Sequence, residues 1–154
     1  MEDRRRGDLI RSLTTIGALV FGAWVLWFFA VVQRATRIGA SRFAGAWEER
    51  IEALSFITFP PNAPVIALAA AAACAATVLA GPTQDLALAV LLRLVRWSAT
   101  LMALIGVASV VTVLLGEDPG PDRVGSIGFR LAGVLLHVAV AYACLAAGRT
   151  APGG

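Results

Sequence analysis

The sequence predicts an all-α polytopic membrane protein: a four-transmembrane-helix bundle with an amphipathic surface helix between helices one and two. Three observations carry that prediction. Long apolar stretches occupy residues 10–32, 62–80, 86–115 and 124–147, and about 20 mostly apolar residues suffice to cross a bilayer. The mean hydropathy is +0.79 with 58% hydrophobic residues, too apolar for a soluble domain of this length, whose polar surface must cover its core. The basic residues cluster at the ends of the apolar runs, where topology signals sit. Residues 1–154 are therefore expected to form a single membrane domain.

The first span, residues 10–32, follows the basic cluster Arg4, Arg5 and Arg6. It is longer than a signal-peptide core and reads as a retained anchor. Trp24, Trp27, Phe28 and Phe29, followed by Gln33, Arg34 and Arg37, form the aromatic and basic belt expected where a helix leaves the hydrocarbon. Thr14, Ala18 and Gly22 recur every four residues and predict a strip along which another helix approaches closely.

Residues 33–61 are expected to be the longest loop, with an interfacial helix over residues 41–58. Phe43, Trp47, Ile51 and Leu54 recur there at helical spacing, while Arg42, Glu48, Glu49, Arg50 and Glu52 fall mainly on other faces. Pro60, Pro61 and Pro64 then enforce a stiff turn into span two.

Span two, residues 62–80, is alanine-rich, which predicts a helix packed among others. Gly81-Pro82 should end it, and Gln84-Asp85 should cap the next helix. Span three, residues 86–115, is too long to stand upright and should tilt or protrude. The acidic, turn-rich segment around Glu117, Asp118 and Asp122 leads into span four. Four spans put both termini on one side. Arginines divide almost evenly between the two sides, and the amino-terminal cluster favours a cytoplasmic location for both termini.

Five residues stand out as candidate contacts with a partner or lipid: Arg93, Arg96, Arg130, His137 and Trp47. Arg93 and Arg96 are permanent charges within an apolar helix, costing at least about 2.5–3.5 kcal/mol each at mid-bilayer on insertion scales. They snorkel to phosphate headgroups, dock on a carboxylate, a haem propionate or a bound lipid of a larger complex, or line a substrate or ion pathway. Arg130 is placed to pair with Glu117, Asp118 or Asp122. His137, seven residues further along the same face, is the chain's single histidine. Packing or a helix–helix hydrogen bond is the plain reading; a haem ligand would need a second histidine from another chain.

Other chemistry is absent from the pattern. Cys74 and Cys144 read as small apolar filler, and two cysteines with one histidine fall short of a zinc set. There is no phosphate loop, nucleophile elbow or CxxC, and no paired intramembrane carboxylates. The isoelectric point of 9.7 does not imply nucleic acid, because no basic domain stands outside the apolar spans. No cofactor or catalytic residue is expected. The leading expectation is a non-catalytic accessory subunit of a larger membrane complex, with other integral membrane subunits and anionic lipids as partners. A small transporter or channel component is a second possibility, and a haem-binding anchor of a redox enzyme a third.

All 13 basic residues are arginine, a bias of high-G+C coding sequences. With the Trp24–Phe29 belt, the surface segment from Arg34 to Pro64 and the alanine-rich run from Ala67 to Ala76, the chain resembles the small helical subunits of actinobacterial respiratory assemblies. The nearest family is the accessory subunits of the cytochrome bcc–oxidase supercomplex. That resemblance implies a plasma-membrane location and partner chains that carry haem and copper. It transfers no catalytic residue onto this sequence.

Overall fold

A computed structural model describes residues 2–42, 62–81, 85–115 and 123–149. These form four α-helices: α1 (Glu2–Arg42), α2 (Asn62–Ala80), α3 (Leu86–Leu115) and α4 (Arg123–Arg149). No strand occurs among the described residues. Each helix contains a segment long and apolar enough to cross a membrane, from Asp3–Ala30 in α1 to Ile127–Arg149 in α4. The chain is a polytopic, all-helical membrane protein.

The buried positions explain how the helices pack. On α3, Leu88, Leu92, Val95, Ala99, Met102, Gly106 and Ser109 are buried, at spacings alternating between four and three. On α4, His137, Val140, Cys144 and Ala147 continue the same alternation. A repeat averaging 3.5 residues keeps one seam facing its neighbour and is the packing geometry of left-handed bundles. α3 packs chiefly on α4, α1 chiefly on α2, and α2 touches the other three. The alanine-rich helix is thus the central one, as its composition predicts. Ile66, Ala69, Ala73 and Ala76 are fully enclosed.

Two glycines mark the closest approaches. A Cβ on Gly17 would lie 3.1 Å from Leu91 Cδ2 and 3.4 Å from the Ala69 carbonyl oxygen. On Gly106 it would lie 2.7 Å from Val134 Cγ2, a contact that a stiff β-branched side chain cannot relieve. The helix ends follow the expected chemistry. Gly81, at φ 58°, closes α2 with an N–H bond to the Thr77 carbonyl at 3.0 Å. Arg6 Nε donates to the Leu79 carbonyl at 2.7 Å, tying the start of α1 to the end of α2. The Asp85 carbonyl accepts from the Leu88 and Ala89 amides at the start of α3, so Asp85 holds the N-cap position.

Several expectations need correction. α1 runs 41 residues from Glu2 to Arg42, so residues 33–42, expected in a loop, continue the helix. Nothing in that stretch breaks it: it has no proline, and alanine and arginine favour helix. The remainder of the expected surface helix, Trp47 included, lies outside the described residues. The packing strip on α1 is Gly17–Phe21–Trp24, not Thr14–Ala18–Gly22. Ala18 is exposed, and a Cβ on Gly22 would meet nothing within 4 Å. The aromatic belt also divides. Trp24 is buried and stacks between Phe21 and Phe28 at centroid separations of 5.7 and 5.5 Å, while Trp27 and Phe29 stay exposed.

Candidate functional site

Polar groups inside the bundle lie along one line. On α4, Arg130, His137 and Cys144 are spaced by seven residues, which places them on one face, roughly 10 Å apart along the axis. α3 runs antiparallel beside that face and contributes Ser109 near Arg130 and Arg96 near Cys144. Cys74 of α2 completes the lower end of the line.

At the upper end, Arg130 Nη1 donates to Ser109 Oγ across the α3–α4 seam. Ser109 is fully buried, so this bond satisfies a hydroxyl that has no water to turn to. The carboxylates expected for Arg130 (Glu117, Asp118 and Asp122) lie outside the described residues. In the middle, His137 is 0% exposed. Its Nδ1 is 2.8 Å from the Gly133 carbonyl oxygen, one turn back, while Nε2 has no partner among the described residues. A haem held by another chain cannot reach this imidazole without parting α3 from α4. Trp24 Nε1 is likewise buried and has no partner among the described residues.

At the lower end, Cys74 of α2 and Cys144 of α4 lie near each other across the α2–α4 contact. Both are free thiols, Cys144 buried and Cys74 half-buried. The charge of Arg96 reaches Cys144, and its guanidinium lies 5.3 Å from the centre of the Trp97 ring. Such a contact is worth about 0.5–1 kcal/mol at an exposed site. Arg93, one turn earlier, is exposed and has no ion pair among the described residues.

The four polar residues singled out from the sequence therefore do not converge. Arg93 points outward, Arg96 sits beside the thiols, His137 is enclosed, and Arg130 is bound to Ser109. Buried Met102 and Val140 occupy intervening seam positions among the described residues. Among the described residues, no three metal-ligating side chains cluster. Two features escaped sequence reading: Ser109 as the acceptor for Arg130, and the meeting of the cysteines. The seven-residue spacing of Arg130, His137 and Cys144 was the signal for a shared face.

An open groove of about 1140 Å³ runs between α1 and α3. Ala18, Gly22 and Leu26 form one wall, and Leu86, Val90 and Leu94 the other. Ala18 and Gly22 of the strip expected to pack inside the chain thus line an apolar notch among the described residues.

These features define a membrane-embedded helical bundle with a lateral apolar groove and a buried polar line. Comparison with protein-family models, curated proteins and solved structures gave no match.

Proposed function

We propose that this chain is a non-catalytic accessory subunit of a larger complex in the bacterial plasma membrane, and that the complex is respiratory. The observation that carries this reading is the groove between α1 and α3. In lipid, apolar surface alone does not drive association, and helices associate where small residues let backbones approach. Ala18 and Gly22 supply such a surface, and no described residue comes within 4 Å of a Cβ built on Gly22. A transmembrane helix of a partner subunit is the occupant that fits.

Arg93 supports the same reading. It lies three residues beyond Val90, on the flank of the groove, where its charge would meet a partner's carboxylate or a lipid phosphate. Exposed Arg4, Arg5 and Arg11 near the start of α1 and Arg149 at the end of α4 lie on the terminal side of the bundle, suited to an anionic cytoplasmic leaflet. The respiratory assignment rests on the resemblance to accessory subunits of the actinobacterial cytochrome bcc–oxidase supercomplex. Haem, copper and catalysis then belong to the partners.

The test is purification of the tagged chain from native membranes in mild detergent, followed by mass spectrometry. Co-purification of larger haem-bearing membrane subunits is expected. Recovery as an isolated monomer or homodimer that moves a solute in liposomes would overturn the proposal.

A further inference from the structure

The groove between α1 and α3 has apolar walls but carries charge at one end. Asp85, immediately before α3, lines it there. Its carboxylate is exposed and has no hydrogen bond or ion pair among the described residues; the bonds that start α3 are accepted by the Asp85 backbone carbonyl. On the opposite wall, Arg11 stands one heptad before Ala18 and so shares the face of Ala18 and Gly22. It too is exposed and has no ion pair among the described residues. The two charges stand at one height. α1 and α3 are both antiparallel to α2, so they run parallel to each other, and Gly17 lies opposite Leu91. Arg11 and Asp85 each come six positions before that contact, about 9 Å along either helix.

We propose that the partner helix seated in this groove carries an arginine or lysine that pairs with Asp85, while Arg11 on the other wall turns that cation toward α3. The inference rests on the partner-helix reading of the groove and adds what that helix must bear. A wholly apolar helix laid over Asp85 would strip water from a carboxylate and give it nothing in return. A basic side chain at the same height replaces the lost water with an opposite charge. Arg11 fixes the rotation, because a cation turned toward α1 meets a like charge. The two walls together therefore select the register and the rotation of the occupant, which apolar surface leaves undetermined. A second copy of this chain is the poorer occupant. Arg4 lies two heptads before Ala18, so a symmetric pair through this face would set Arg4 and Arg11 of two α1 helices against each other.

The experiment places the photo-cross-linker benzoylphenylalanine at Leu86, exposed beside Asp85 on the groove wall, in the tagged full chain in native membranes. The linked peptide is then sequenced by mass spectrometry. A transmembrane segment of a different subunit is expected, with an arginine or lysine within one turn of the linked residue. Asp85→Asn removes the charge but keeps a residue favoured at an N-cap, so the isolated chain should keep its melting temperature. Recovery of the linked subunit should fall about fivefold, the upper end for an exposed ion pair. Asp85→Lys should lower it further, and reversing the subunit's basic residue to aspartate should restore it. A linked transmembrane segment with no basic residue there would overturn the pairing, as would full recovery with Asp85→Asn. Either result leaves the partner-helix reading standing, since Gly22→Leu tests that separately. A link to a second copy, or no link to protein, would overturn both.

Discussion

Ser109 and His137 show opposite solutions to the same problem, a polar side chain enclosed in an apolar seam. Ser109 accepts a charge-assisted bond from Arg130, of a kind worth about 1.5–3 kcal/mol. Ser109→Ala should therefore destabilise the chain by about 1–3 kcal/mol in detergent unfolding; an unchanged midpoint would show that the bond contributes nothing. His137 leaves Nε2 without a partner among the described residues. His137→Leu removes that unsatisfied group at similar volume and should leave stability unchanged or raise it by about 1 kcal/mol. A loss of more than about 2 kcal/mol would mean that Nε2 serves a bound group. At this scale the sequence identified which residues are unusual, but not their partners. Partner choice depends on the relative register of α3 and α4, and no local pattern encodes it.

Between elements, the two kinds of glycine make the sharpest contrast. Gly106 sits against Val134 at the α3–α4 crossing, whereas Gly22 faces open space. Gly106→Val should cost about 1–3 kcal/mol through overpacking. Gly22→Val in the isolated chain should change the thermal midpoint little. Equal losses at both positions would contradict the seam assignment. The helices themselves were legible, because length and apolar content suffice to recognise spans. The face that α1 turns inward was not. Small residues recur at Gly17 as well as at Ala18 and Gly22, and only the placement of Ala69, Ala72 and Leu91 decides in favour of Gly17. The length of α1 was misjudged for a related reason. Hydropathy falls near residue 33, but helix propensity does not, so the helix outlasts its apolar segment.

For the whole molecule, the four described helices make a bundle with polar groups along the α3–α4 seam and an apolar groove between α1 and α3. A subunit of a larger assembly needs a surface shaped for another helix, which the groove between α1 and α3 supplies. Replacing Arg93 by glutamine should reduce partner recovery if the arginine meets a carboxylate, and should leave it unchanged if it meets lipid phosphate; quantitative mass spectrometry of the purified complex separates the two. The groove itself is tested most directly by Gly22→Leu, which extends into the notch from a position whose Cβ would meet no described residue within 4 Å. Partner subunits recovered with the tagged variant from native membranes should fall at least about tenfold, equivalent to about 1.4 kcal/mol of binding, while the isolated chain keeps its melting temperature. Partner recovery at the wild-type level would contradict the account.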